Sequence, residues 1–133
     1  MKPVYADTFY FLALLHFDDA AHARALSISQ TRADPLLTTT WVLTEVADAL
    51  ATPGLRESFP RLLAALRADP ACTIVPPTQI LFDQGVELYA ERPDKGWSLT
   101  DCISFVVMRE RGIAEALTDD HHFEQAGFAA LLK

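Results

Sequence analysis

The segment Pro3-Val4-Tyr5-Ala6-Asp7 is a short apolar run that ends at a carboxylate. Val and Tyr favour β-strands, so we predict a first strand over Pro3–Ala6. The apolar run Phe9–Leu15 comes next and is predicted to continue as a helix. A strand that leads at once into a helix is the first half of a β-α-β unit, and here Asp7 lies at the junction.

The same order of a short apolar run and a longer helical pattern repeats along the chain. Further strands are predicted at Leu36–Thr40, Cys72–Val75, Glu115–Thr118 and, at an edge, Phe128–Leu132. The predicted helices between them include one opened by Asp18 and Asp19 that continues through Ser29, then 41–51, 56–68, 78–91, 98–112 and a short turn opened by Asp120. This alternation predicts an α/β protein, a three-layer α/β/α sandwich with a central parallel sheet of four to five strands.

Composition indicates a single globular unit. The chain has 133 residues, of which 50% are hydrophobic and 22% charged, and no linker or repeat divides it, so residues 1–133 are expected to form one domain. The longest apolar stretches are too short to cross a bilayer and no signal segment is evident, so we expect a cytoplasmic protein. Cys72 and Cys102 lie among apolar residues and are interpreted as buried thiols.

The net charge of −7 argues against a simple nucleic-acid binder, because nonspecific affinity comes from Lys and Arg that neutralise phosphates. The same charge is compatible with a metal-dependent nuclease, in which bound cations reverse the local sign of a carboxylate cluster. Arg92, Lys95, Arg109 and Arg111 are candidates to hold RNA, although Arg on a helix is more often part of a solvated face.

Four acidic residues, Asp7, Glu45, Asp101 and Asp120, fall where predicted strands end or helices begin. In open parallel sheets, ligands bind beyond the carboxyl ends of the strands, so these distant residues are expected to lie close together. Their oxygen ligands suit Mg²⁺ or Mn²⁺. The adjacent His121 and His122 are expected at the surface or in supporting roles.

Each of these acids also has an ordinary structural explanation. Asp7 and Asp120 could cap the helices that follow them, and Asp119 competes with Asp120 for the metal-facing role. Ser98-Leu-Thr-Asp101 has the pattern of a capping box. Glu45 lies among apolar neighbours, where a carboxylate needs a metal, a hydrogen bond or a buried Arg.

Four motifs, in this order along the chain, resemble those of PIN-domain proteins, particularly VapC-type toxin ribonucleases of toxin–antitoxin modules. They are Val-Tyr-Ala-Asp7-Thr8, Thr-Glu45-Val, Trp97-Ser-Leu-Thr-Asp101-Cys-Ile-Ser-Phe and Ala-Leu-Thr118-Asp-Asp120-His-His-Phe. The resemblance spans almost the whole chain. It implies an α/β/α fold and an endoribonuclease that depends on Mg²⁺, with Mn²⁺ able to substitute.

The resemblance also implies site residues and partners. The family's acidic quartet corresponds to Asp7, Glu45, Asp101 and Asp120, with Asp119 as an alternative fourth member. Thr8 and Thr118 are expected to donate hydrogen bonds that orient the carboxylates. The implied partners are an RNA substrate, with tRNA and rRNA as candidates, a cognate antitoxin and a second copy of the chain. The non-enzymatic alternative is a PIN-like interaction domain that binds a basic segment of a partner.

Overall fold

The computed structural model of the chain describes residues 2–16 and 20–133. Within them, five strands form the sheet: β1 Val4–Ala6, β2 Leu36–Thr39, β3 Cys72–Val75, β4 Glu115–Leu117 and β5 Ala129–Ala130. Their order in the sheet is β3-β2-β1-β4-β5, and every neighbouring pair is parallel. The predicted parallel sheet is therefore confirmed.

Seven helices within the described residues connect these strands. They are α1 Thr8–Leu15, α2 His22–Thr31, α3 Thr40–Ala49, α4 Ser58–Ala68, α5 Gln79–Glu91, α6 Leu99–Arg111 and α7 His121–Gln125. The predicted start of the second helix at Asp18 and Asp19 lies outside the described residues. No helix in the described part of the chain combines the length and apolarity needed to span a membrane.

The sheet order determines where the helices lie. From β1 the chain moves through β2 to β3, then crosses back to place β4 on the other side of β1. Right-handed crossovers therefore put α1 to α4 on one face and α5 to α7 on the other, which is the predicted three-layer sandwich. The reversal at β1 opens a crevice between the carboxyl ends of β1 and β4, the usual ligand position in such sheets.

Helix α6 is the buried helix that its apolar sequence predicted. Ser98 caps its N-terminus, and Gly112, with a φ of 66° in the left-handed region, ends it. Most of its length from Cys102 to Met108 is buried. Helix α5 packs closely along it, and Gly85 lies at the point of contact, where a Cβ atom would come within 2.3 Å of Ile103 Cγ1.

The close approach at Gly85 gives a stability prediction. Gly85→Ala should lower the free energy of unfolding by about 1–2 kcal/mol, because overpacking against the buried Ile103 outweighs the helix propensity of Ala. Urea unfolding followed by circular dichroism measures this change. In an Ile103→Ala background the clashing atom is gone, so Gly85→Ala should be neutral or stabilising there; an equal loss in both backgrounds would contradict the packing explanation.

Candidate active site

Asp7 follows β1 directly and is the most buried of the four acids, with 6% of its surface exposed. It occupies the N-cap position of α1, yet its side chain makes no capping hydrogen bond. Instead, Oδ2 of Asp7 accepts a hydrogen bond of 2.9 Å from the hydroxyl of Thr118. Burial raises the pKa of Asp7 from 3.8 to about 7, so the carboxylate lies in an environment that disfavours its charge. Helix capping therefore does not account for this residue.

Glu45 lies on α3, with its neighbours Val42 and Val46 fully buried. Its Oε1 accepts a hydrogen bond of 2.6 Å from the hydroxyl of Thr8. No Arg or Lys of the described residues forms an ion pair with it, so the buried Arg pair is not observed there. Thr8 follows Asp7 in the chain, which places the carboxylate of Glu45 beside the end of β1.

Asp101 makes the expected capping box with Ser98. Ser98 Oγ accepts from the backbone N–H of Asp101 at 3.0 Å, and Asp101 Oδ2 accepts from the backbone N–H of Ser98 at 3.2 Å. The same Oδ2 lies 3.3 Å from Nδ1 of His122. Burial and the charge of Asp120 raise the pKa of Asp101, although Ser98 and His122 oppose the shift. The capping role and a place in the acidic site therefore coexist.

Asp120 caps α7, because its Oδ1 accepts from the backbone N–H of His122 at 2.9 Å. Its own backbone N–H donates to the hydroxyl of Thr118 at 3.1 Å, so this one buried hydroxyl joins Asp7 to Asp120. Asp119 is exposed and lines a separate depression with Phe9. Asp120 is thus hydrogen-bonded into the group that contains Asp7, and its place as the fourth acidic residue stays a prediction.

Electrostatic coupling shows that the four acids share one region. The charges of Asp101 and Glu45 both raise the pKa of Asp7, and the charge of Asp120 raises that of Asp101. Asp7 and Asp120 follow β1 and β4, and Asp101 lies in the first turn of α6. Glu45 lies in the middle of α3 rather than at the start of a helix as expected, and Thr8 connects it to the end of β1. Hydrogen bonds and these couplings connect the four acids, whereas their assignment as site residues and their chemical roles stay predictions.

A buried polar layer beneath the acids was missed at the level of sequence. The Tyr5 hydroxyl and Ser104 Oγ are 2.6 Å apart, and both side chains are fully buried. Burial and the charge of Asp7 raise the pKa of Tyr5, so its hydroxyl stays protonated. Spacing could have indicated both residues, because Tyr5 is two positions before Asp7 on one strand face and Ser104 is three after Asp101 on one helix face.

The rings of His121 and His122 both lie close to Asp120, although adjacent residues of a regular helix point in different directions. Nδ1 of His122 is 3.3 Å from Asp120 Oδ1, and Nδ1 of His121 is 3.7 Å from the same oxygen. One ligand atom from each of these three residues lies within 4.8 Å of the others, a spacing compatible with a shared metal ion. Both rings lie beside Asp120 because α7 begins directly after this residue.

Comparisons with known proteins agree with this geometry. The family model for the PIN domain matches residues 4–129. The 23S rRNA-specific endonuclease VapC20 of Mycobacterium tuberculosis is 29% identical over 126 residues, which cover 94% of this chain and 95% of that protein. The crystal structure of M. tuberculosis VapC20, described as a sarcin-ricin loop cleaving toxin, superposes with a TM-score of 0.86 at 26% identity, covering 96% of this chain and 98% of that one.

The matched range contains all four acidic residues, strands β1 to β4 and the first residue of β5. The resemblance to VapC-type proteins that the motifs indicated is thereby confirmed, together with the α/β/α fold. PIN nucleases use divalent metal, and among the described residues Asp120, His121 and His122 are spaced so that they could share one ion. The chain belongs to the PIN-domain family.

Proposed function

We propose that this chain is a metal-dependent endoribonuclease of the VapC type, the toxin of a toxin–antitoxin module, and that residues 1–133 act as one nuclease domain. The observation that carries the proposal is the convergence of Asp7, Glu45, Asp101 and Asp120 at the carboxyl edge of the sheet. The name of VapC20 supports ribosomal RNA as the substrate class. The interaction-domain alternative is disfavoured, because it explains neither the costly burial of Asp7 nor the likeness to an endonuclease.

The donor set fits a hard divalent cation. Asp7 is buried, its charge is disfavoured, and Glu45 and Asp101 add further negative charge beside it. A divalent cation offsets this repulsion, and carboxylate oxygens are its preferred ligands. Mg²⁺ is the proposed physiological ion and Mn²⁺ should substitute for it. Both ions would be available to a cytoplasmic protein. The two imidazoles beside Asp120 suit Mn²⁺ better than Mg²⁺.

The acidic residues and the two threonines have different proposed roles in phosphodiester hydrolysis. Asp7 and Asp101 would hold the metal, Glu45 would hold it or help to position the attacking water, and Asp120 would bind a second metal or act through water. Thr118 fixes Asp7 and Thr8 fixes Glu45 through the hydrogen bonds described above. When bound, the cation supplies Lewis acidity toward the phosphate and lowers the pKa of water.

Two further partners follow from the VapC assignment, a cognate antitoxin and a second copy of the chain. An apolar groove of about 560 Å³ lies between α3, α4 and the end of β3, with Leu43, Phe59 and Leu63 among its lining residues. Exposed apolar grooves of this kind mark interaction sites for apolar helices or segments. The groove is a candidate contact surface for either partner, and we expect sedimentation of the isolated chain to show a dimer.

Incubation of the purified protein with total RNA tests the function directly. We expect discrete RNA fragments in Mg²⁺ or Mn²⁺ and none in EDTA, because the carboxylates require the cation to act on a phosphodiester. Primer extension on ribosomal RNA then locates the cut. Saturable Mn²⁺ binding without any cleavage of tRNA or rRNA would contradict the nuclease assignment. Cleavage that persists in EDTA would contradict the metal dependence.

A further inference from the structure

A second concave site lies beside the acids and has no role in the mechanism above. It has a volume of about 460 Å³ and is enclosed by the last turn of α5, the first turn of α6 and the connecting residues 92–97, which we call the Arg92 loop. Its lining includes Tyr89, Arg92, Lys95 and Trp97. The site thus combines aromatic and cationic side chains in a protein whose net charge is −7.

The Arg92 loop directly adjoins the acidic group. A Cβ atom at Gly96 would lie 3.7 Å from Nε2 of His122, so the loop backbone packs against that ring. His122 in turn lies 3.3 Å from Asp101. The pocket therefore lies on the Asp101 side of the acidic centre, with His122 between them. An RNA strand that extends from the acids on this side can reach the pocket.

Four interactions hold the Arg92 loop in place. Trp97 is buried and its Nε1 donates to Gln125 Oε1 at 3.0 Å, while its ring meets Phe105 edge-on with 5.0 Å between centroids. The Arg92 guanidinium stacks over the Trp97 ring at 5.1 Å and makes two hydrogen bonds to Asp94, of 3.0 and 3.1 Å. Arg92 is thus engaged within the loop, which is preorganised for a ligand.

Lys95 and Tyr89 are the two lining side chains best placed to contact a ligand. Nζ of Lys95 lies 3.8 Å from Asp94 Oδ2, a longer ion pair than the hydrogen bonds that Arg92 makes to the same carboxylate, so a phosphate can compete for Lys95. Tyr89 is 55% exposed, more than any other aromatic side chain that the structure describes. An exposed aromatic face next to a cation is the combination that binds single-stranded nucleic acid, by stacking a base and contacting its phosphate.

The other basic candidates named from the sequence lie elsewhere. Arg109 and Arg111 are eight and ten residues beyond Asp101, which places them roughly 12 and 15 Å along the axis of α6. Lys2, which precedes β1, donates to the carbonyl of Gly112 at 3.4 Å, so this end of α6 lies at the amino edge of the sheet. The acids lie at the opposite edge. The Arg92 loop therefore lies closer to the acids than Arg109 and Arg111 do.

We propose that the Tyr89–Lys95 pocket binds a nucleotide that flanks the scissile phosphate of a single-stranded RNA. The base stacks on Tyr89 and its phosphate is contacted by Lys95, with Arg92 and Trp97 maintaining the shape of the loop. This proposal rests on the ribonuclease function proposed above and names a subsite for the same substrate. The pocket supplies positive charge that the acidic centre lacks.

Fluorescence anisotropy of a labelled single-stranded RNA in Ca²⁺, with the RNA checked for intactness after each titration, tests the pocket. Tyr89→Ala should weaken binding about tenfold, whereas Tyr89→Phe, which retains the ring, should stay within about twofold. Lys95→Ala should weaken binding and reduce the slope of log K against log salt by about 0.7. Arg61→Ala, which removes an exposed cation from α4, is the matched charge control and should change neither quantity.

Cleavage assays in Mn²⁺ on the same variants separate the two proposals. Raised KM with unchanged kcat for Tyr89→Ala and Lys95→Ala supports both. If the wild type cleaves RNA and neither substitution changes binding or KM, the pocket proposal is overturned and the nuclease proposal stands. If the wild type does not cleave RNA but the two substitutions still weaken RNA binding, the nuclease proposal is overturned and the pocket remains an RNA-binding site. Absence of both RNA binding and cleavage in the wild type overturns both.

Discussion

Asp101→Asn is expected to reduce metal-dependent RNA cleavage by at least about 100-fold. Loss of residues that merely support a metal ligand typically costs 10- to 100-fold, so loss of a proposed ligand should cost no less. The amide keeps the shape of the carboxylate but removes the negative charge that a cation requires. Initial rates on ribosomal RNA in Mn²⁺, with Mn²⁺ affinity from calorimetry, measure the two effects separately.

This substitution is a clean test because the capping box should survive it. Asp101 Oδ2 accepts the hydrogen bond from the Ser98 backbone, and the amide oxygen of Asn can take the same position. The matched control is Asp48→Asn, since Asp48 is an exposed carboxylate on α3. We expect it to leave cleavage and Mn²⁺ binding unchanged. Undiminished cleavage by a folded Asp101→Asn protein would remove Asp101 from the site.

The metal-free protein should lose stability as the pH rises from about 4 to 7. The pKa of Asp7 is raised from 3.8 in the ordinary state to about 7 in the fold, so in this window the folded state keeps a proton that the unfolded state has released. The free energy of unfolding therefore falls with pH, by about 4 kcal/mol for a shift of this size. Urea unfolding in EDTA across this pH range measures the slope.

Asp7→Asn should flatten this pH dependence, since the amide carries no charge to desolvate. At pH 8 in EDTA the variant should be more stable than the wild type by about 3 kcal/mol, once the weakening of one hydrogen bond is allowed for. Mn²⁺ should stabilise the wild type but not the variant, and the variant should not cleave RNA. A variant less stable than the wild type at pH 8 would contradict the assignment of the slope to Asp7.

Much of the fold could be predicted from the sequence because its signals are local. The strand Cys72–Val75 was predicted at its observed bounds, since Pro76 and Pro77 cannot continue it. Ser98 and Gly112 likewise mark the ends of α6 by their capping chemistry. The sheet topology could be predicted only in part. The alternation of strands and helices predicts parallel pairing, but it does not predict which strand lies beside β1.

The acidic residues could be found because strand ends place them, whereas their supporting contacts depend on packing. Nothing local indicates that Tyr5 meets Ser104, because these side chains are 99 positions apart and their contact follows from how α6 crosses the sheet. His122 was assigned only a supporting role, and its approach to Asp101 depends on where α7 begins. The Tyr89–Lys95 pocket likewise arises from the spacing of two helices.

That spacing is set at Gly85, where the absence of a side chain lets α5 rest directly on Ile103 of α6. Tyr89 lies one turn beyond Gly85 on α5, and Asp101 lies at the start of α6. The contact between the two helices therefore fixes the distance between the proposed base-binding pocket and the acidic residues. A bulkier residue at position 85 would move α5 away from α6 and so lengthen this distance. We expect such a substitution to change which phosphodiester is cleaved, as well as the stability of the fold.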